Sequence, residues 1–303
     1  MAISRAQLVK ELEPGLNALF GLEYKQYENQ HSEIYTSESS DRAFEEEVML
    51  SGFANAQVKG EGSGVSFDEA QETFSARYTH ETVALAFAIT EEAIEDNLYD
   101  RIASRYTKAL ARSMSNAKQV KAVEPLIQGL PSTDNFDSGD GVALFSTAHP
   151  TIAGTYKNTL STQADLNETS LEQSLIDIAA MTDERGLRIA ARGVKMIIPS
   201  KLQFTAERLM KSQGRTATAD NDINAIASMG MIPQGYRVNN YLTDDDAFYI
   251  ITDVPNGMKM FNRAPLTTAM EGDFDTGNVR YKARERYSFG VSDPRGIFGV
   301  EGA

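Results

Sequence analysis

One stretch narrows the possible fold of this chain more than any other. From Thr90 onward, Ile94, Leu98, Ile102, Tyr106, Leu110 and Met114 recur at every fourth position, and Tyr99 and Ala103 widen the stripe. That spacing predicts an amphipathic helix with one buried face. Thr90 stands at its N-cap, with Glu91 and Glu92 in the first turn, where the helix dipole favours acids. Acids crowd the first half (Glu95, Asp96, Asp100) and bases the second (Arg101, Arg105, Lys108, Arg112, Lys118, Lys121). The helix is expected to end shortly before Pro125, which makes it a rod of about 30 residues and roughly 45 Å. With the strands that precede and follow it, the expectation is a mixed α+β chain.

The segments before the helix alternate in a different way. Val83, Leu85, Phe87 and Ile89 carry large apolar groups at odd positions, and Phe74, Ala76 and Tyr78 share one face. This is the period of strands. Residues 48–89 read as a two-stranded excursion whose tip, Lys59-Gly60-Glu61-Gly62-Ser63-Gly64, is a glycine turn. The first half, from Val48, lacks a buried face and is expected to protrude. Residues 1–47 hold ten acids against four bases. A short helix from about Ser4 to Leu12 is expected to stop at Pro14-Gly15. The run Gln26 to Ser40 has too few apolar residues to order itself. Tyr24, Tyr27, Ile34 and Tyr35 then suggest an arm that orders on a neighbouring subunit.

Beyond the helix, Pro131 to Gly141 reads as a solvated loop. A helix from Ser170, with a Ser170/Gln173 capping box and Leu171, Leu175 and Ile178 inward, is expected to end near Gly186. Val194 to Ile198 reads as a buried strand, and Ser200 caps a helix with Leu202, Ala206 and Leu209 inward. Gly214 to Asp222 looks like a mobile loop. Tyr236 to Tyr241 and Ala247 to Thr252 are strands joined at Thr243-Asp244-Asp245-Asp246. Pro255-Asn256-Gly257 turns into a β-rich end whose longest strand is Val279 to Phe289.

Chemistry is sparse. The chain has no cysteine, which excludes disulfides and thiolate sites. Its three histidines, His31, His80 and His149, form no metal-binding pair. Asp134, Asp137 and Asp140 depart from calcium-loop spacing, and Asp244 to Asp246 suit a turn. The glycine tip has no following Lys-Ser/Thr pair, and Ser63 lacks the flanking glycines of a nucleophile elbow. No catalytic, cofactor-binding or metal residue is therefore assigned. A net charge of −14 gives no sequence-wide footprint of a nucleic-acid reader. No stretch approaches the roughly 20 apolar residues of a membrane span.

The order of parts, together with Leu144-Phe145-Ser146-Thr147-Ala148-His149-Pro150, Ile198-Pro199, Tyr241 to Phe248 and Asp293-Pro294-Arg295-Gly296, resembles the major capsid proteins of tailed bacteriophages. The resemblance implies an N-terminal arm (1–47), an E-loop hairpin (48–80), a P-domain with the spine helix (81–140), an α/β A-domain (141–254) and a return into the P-domain with the C-terminal end (255–303). It implies a structural protein, not an enzyme, which needs no cofactor and assembles with itself as pentamers and hexamers into an icosahedral head around double-stranded DNA. The expected partners are a separate scaffolding protein, a portal and non-specifically contacted DNA, with no membrane. Folding and assembly are expected in the host cytoplasm, and the final place is the virion capsid. Some members of that family join subunits by a Lys–Asn bond assisted by a Glu. Lys59 sits suitably at the tip, and Asn278 and Glu285 lie seven apart. Aligning the family's Glu-Arg-apolar run on Glu285-Arg286-Tyr287 instead places Gly277 where the Asn belongs, so Lys59 is read as a surface ion-pair partner. A two-lobed α/β enzyme or a tail protein remains the alternative.

Overall fold

The computed structural model describes residues 5–90, 92, 99–133, 135–214, 223–273 and 277–303. Two long antiparallel strands make the frame. They are β10 (Met258–Gly272) and β11 (Val279–Val291), and β10, at 15 residues, is the longest strand, in place of the expected one beginning at Val279. β1 (Thr36–Ser39) pairs in parallel on the outer side of β10, and β4 (Glu81–Ile89) pairs antiparallel on the outer side of β11. The long helix, α2 (Tyr99–Gln128), lies across this sheet. Ala103, Leu110, Ala111 and Met114 pack on Tyr281 and Ala283 of β11 and Ile89 of β4. The expected start of the helix, apart from Thr90 and Glu92, lies outside the described residues, as do the side chains of Tyr99 to Ile102.

Two features of that helix correct the sequence reading. Tyr106 is 52% exposed, whereas Ala103, Thr107, Leu110, Ala111 and Met114 are buried. A strict four-residue repeat drifts around a helix by about 40° per step, so the buried face mixes steps of three and four. The helix also runs through Pro125 instead of stopping before it. Pro125 falls in the last turn, where Ala122, Val123 and Leu126 are buried. The terminal carbonyls find other donors. Tyr249 donates to Leu126 O, Thr133 to Ile127 O, and the backbone of Asn135 to Gln128 O.

The N-terminal region is tied to the same core. α1 (Arg5–Gln26) continues through Pro14. Leu16 and Phe20, with the partly buried Tyr24, lie on the face toward α2 and the sheet. Two large buried side chains at about 1.5–3 kcal/mol each outweigh the roughly 3 kcal/mol penalty of an interior proline. Ile34 and Tyr35 are buried in the chain's own core, and the Tyr35 hydroxyl donates to Ala122 O at 2.6 Å. The expectation that this stretch waits for a neighbour to order it is therefore corrected. Its apolar residues are few, but they plug a core built by residues far along the chain.

The hairpin forms, with its paired stem at β2 (Phe44–Leu50) and β3 (Glu72–Thr79). Ala76 and Tyr78 are buried as their alternation required, with Tyr78 edge-on to Phe261 at 4.8 Å. Leu85, expected inward on β4, is 47% exposed.

The second lobe carries a sheet in the order β12-β9-β7-β8, from β7 (Gly193–Ile198), β8 (Tyr236–Val238), β9 (Phe248–Thr252) and β12 (Ile297–Val300). β7 lies between β8 and β9, so the strands on either side of Thr243 to Asp246 are not neighbours as the sequence suggested. A turn at Asp244 does form, its carboxylate accepting from Asp246 N and Ala247 N. The final strand β12 leaves the first sheet and pairs with β9. α3 (Glu168–Ala179) is capped by Asn167, whose box partner is Ser170 at the third helical position. The Ser170/Gln173 box is thus shifted by three residues, and the helix ends at Ala179, before Gly186. Leu171, Leu175 and Ile178 are buried as expected. After a 3-10 turn at Ser200–Leu202, α4 (Gln203–Lys211) buries Ala206 and Leu209, with no side-chain cap at its start. A short α5 (Ala225–Met229) follows a loop most of which, residues 215–222, lies outside the described residues.

Candidate assembly surfaces and the junction between the lobes

Two of the sequence stretches that carried the resemblance, Leu144–Pro150 and Asp293–Gly296, meet in space. Asn158 donates through Nδ2 to Leu144 O at 2.7 Å and to Pro294 O at 3.1 Å, joining the loop before His149 to the Asp293–Gly296 turn. Its Oδ1 accepts from Ser146 N at 2.9 Å and faces His149 Nε2 at the same distance. The other ring nitrogen of His149 contacts Asp140 Oδ2 at 2.7 Å. Tyr156 on β6 (Gly154–Tyr156) stacks on His149, which begins β5 (His149–Thr151), and the Arg295 guanidinium lies 4.4 Å above the Tyr156 ring. Arg295 is held by Glu184 and Asp293 and donates to Thr182 O. These buried polar groups hold one another, the Tyr156 hydroxyl alone among them lacking a hydrogen-bond partner, and the network welds the lobes together.

Asp140 is therefore no solvated loop residue. Burial raises its carboxyl, but hydrogen bonds from His149 and Ser138 outweigh this and hold it below the usual range. Nothing in the local pattern marked the site, because its members come from four separate segments. His149 is 0% exposed and both its ring nitrogens are occupied, so it can serve no substrate as a base.

The other histidines are also structural. His31 is tied to Gln119 on α2, and burial, with Lys118 nearby, pushes its pKa down to about 4. His80 sits between Ser40 and Ser288, and burial, with Arg286 nearby, lowers it as well. Among the described residues, no group of three or more acids and histidines could hold a metal. Asp134 lies outside them. No described helix is long and apolar enough to cross a membrane.

The three residues weighed for cross-linking are not gathered within one chain. Glu285 is buried beneath α2, where Lys118 reaches its Oε2 at 3.1 Å. Burial raises its carboxyl, and Lys118 only partly offsets the shift. Asn278 precedes β11 and accepts from Asp273 N through its backbone. Lys59 is exposed at the hairpin tip, and among the described residues no ion pair involves it.

Two exposed surfaces stand out among the described residues. Residues 51–71 leave the paired stem without regular structure, and there Phe53, Val58, Val65 and Phe67 face solvent, Val58 fully and Phe67 at 96%. The second surface was missed in the sequence. Arg280, Lys282 and Arg284 point to the solvent side of β11, and Arg286 continues the row. No uninterrupted basic run announces them, because Tyr281, Ala283 and Glu285 of the core face stand between them. Reading the strand's alternation for charge as well as for hydropathy would have found the row.

A family profile described as phage capsid protein matches residues 73–300. No curated protein matches the sequence. Solved structures match along almost the whole chain despite little identity. A virus-like particle from Pyrococcus furiosus has a TM-score of 0.55 at 10% identity, covering 95% of this chain and 98% of that one. The capsid of Myoviridae phage XM1 has a TM-score of 0.53 at 12% identity, covering 89% of each chain. A structure from Mycobacterium phage Ogopogo has a TM-score of 0.52 at 13% identity, covering 91% of this chain and 92% of that one. At such identities the likeness shows a shared fold, and the family match runs through both sheets and the helix across them. The chain belongs to the phage capsid protein family and is a structural subunit of a phage head shell.

Proposed function

We propose that the subunit assembles with itself, as pentamers and hexamers, into an icosahedral head that encloses double-stranded DNA and performs no catalysis. In this reading a separate scaffolding protein and a portal take part in assembly in the host cytoplasm, and DNA is contacted without sequence preference. The division of labour follows the boundaries read from sequence, 1–47 as arm, 48–80 as hairpin, 81–140 and 255–303 as one lobe and 141–254 as the other, except that β12 (Ile297–Val300) pairs into the second lobe's sheet.

The observation that carries the reading is the hairpin. A chain that folds for itself alone has no use for 21 residues, 51–71, that reach beyond their stem and present Phe53, Val58, Val65 and Phe67 to water. Exposed apolar surface of this kind marks a contact with another molecule. Negative-stain microscopy of the purified protein tests the proposal. Shells, tubes or capsomer rings are expected. A discrete particle of one chain at every concentration and salt would overturn it and return the two-lobed alternative.

A further inference from the structure

We propose that His149 is held as an imidazolium, protonated on both ring nitrogens, and that this buried cation is a pH-sensitive latch at the junction of the two lobes. The inference goes beyond the assembly reading and does not depend on it.

The acceptors around the ring carry the argument. A neutral imidazole offers one N–H and one lone pair. His149 Nδ1 lies 2.7 Å from Asp140 Oδ2, and Nε2 lies 2.9 Å from Asn158 Oδ1. Which end of the Asn158 amide faces the ring is fixed by its other contacts. Its Oδ1 accepts from Ser146 N at 2.9 Å, and its Nδ2 donates to Leu144 O at 2.7 Å and to Pro294 O at 3.1 Å. Turning the amide over would set donor against donor at Ser146 and acceptor against acceptor at both carbonyls. The ring therefore meets an acceptor at each nitrogen, and with Asp140 ionised only the doubly protonated form donates to both. A proton placed on Asp140 would satisfy the ring as well. However, Ser138 Oγ and Val142 N already donate to Asp140 Oδ1, at 2.7 and 3.3 Å. Burial works to raise that carboxyl, but hydrogen bonds from His149 and Ser138 bring it below its ordinary range, which keeps it a carboxylate.

The charges around the ring point the same way. From β6, Tyr156 stacks on His149 with ring centres 4.9 Å apart and planes 16° apart. The turn after β11 brings Arg295, 4.4 Å over the same tyrosine, together with Asp293, and the loop after α3 brings Glu184. Without the imidazolium, this buried group sets three carboxylates, Asp140, Glu184 and Asp293, against one guanidinium. Burial raises the Asp293 carboxyl, and Arg295 offsets this only in part, so the cluster is short of positive charge. A cation on His149 supplies it. The latch follows from where Asn158 reaches. Once Nε2 gives up its proton, its lone pair faces Asn158 Oδ1, and the same amide ties the loop before His149 to the turn that leads into β12. Histidine in the unfolded chain releases its proton near about pH 6.5, whereas the folded chain keeps it. The latch therefore contributes fully below that pH, and its contribution is lost as pH rises further.

Nitrogen NMR of the full chain labelled at histidine reads the protonation directly. At pH 7 one of the three histidines is expected to show both ring nitrogens protonated. The signals lost in His31→Gln and in His80→Gln identify the other two. Burial pushes His31 down to about 4 and lowers His80, so neither is an imidazolium at that pH. A His149 ring with only one protonated nitrogen at pH 7 would overturn the proposal, and would place any shared proton on Asp140. Asp140→Asn provides the second measurement. Its amide can donate to Nδ1 while Nε2–H still donates to Asn158, so His149 in that variant should be neutral at pH 7. Between pH 6 and pH 9 the urea midpoint of the variant should gain on that of the parent by about 0.5 M or more, whichever of the two is the more stable at pH 6. A difference between parent and variant that does not change with pH would overturn the latch. Should Asp140→Asn fail to fold, the ring spectrum of the parent still decides.

Discussion

The ion pair beneath the long helix offers the sharpest test of the core. Lys118 and Glu285 are 13% and 2% exposed, with Nζ 3.1 Å from Oε2, while Oε1 of the glutamate has no partner. In Lys118→Met the methionine fills much of the same space, but the carboxylate keeps no countercharge. Removing one member of a buried pair costs about 3–5 kcal/mol. With a urea dependence of about 3 kcal/mol per molar, the unfolding midpoint should fall by about 1–1.7 M. Acidity sets the sign of a second effect. Burial already holds the Glu285 carboxyl above its ordinary 4.5, and Lys118 pulls it partway back. Without Lys118 the folded-state value rises further, so the native chain keeps a proton that the unfolded chain has released. Stability then falls as pH climbs from the unfolded value through the folded one, and the deficit is larger near pH 7.5 than near pH 5. Adding Glu285→Gln should return most of the loss near neutral pH. Urea titrations of the soluble subunit at both acidities measure all of this. A midpoint within about 0.2 M of the parent, or a deficit indifferent to pH, would refute the reasoning.

Three further outcomes are expected. Tyr35→Phe removes the donor to Ala122 O and should cost about 1–2 kcal/mol in urea unfolding of the isolated subunit, whereas no loss would mean that residues 30–39 do not belong to the subunit's own core. Gly257→Ala should destabilise by at least about 1–3 kcal/mol, because the added Cβ would lie 2.7 Å from Gly296 Cα, a backbone atom that cannot swing away; an unchanged melting temperature would show that the turn gives. Assembled particles boiled in detergent should run as one band near 33.3 kDa, since Glu285 is occupied by Lys118 and the chain has no cysteine. A ladder abolished by Lys59→Ala would establish a covalent lattice.

Local periodicity determined a good deal by itself. The long helix, the alternating β4 and β11, the hairpin with its glycine tip, and the buried faces of α3 and α4 were all legible. Each is set by side chains a few residues apart whose burial repeats with the element's own period. Tertiary structure decided where those elements stop and whom they meet. α1 and α2 run through Pro14 and Pro125 because distant side chains cover the turns beyond them. Tyr35 and Ala122 are 87 residues apart, and Lys118 and Glu285 are 167 apart. The buried role of His149 depends on Asp140, Asn158 and the Pro294 turn arriving together, although only Asp140 and Asn158 are near it in sequence. Contacts across such separations leave no period in the chain. They follow from how two sheets and one rod pack, and packing is settled only when the whole apolar surface is removed from water at once.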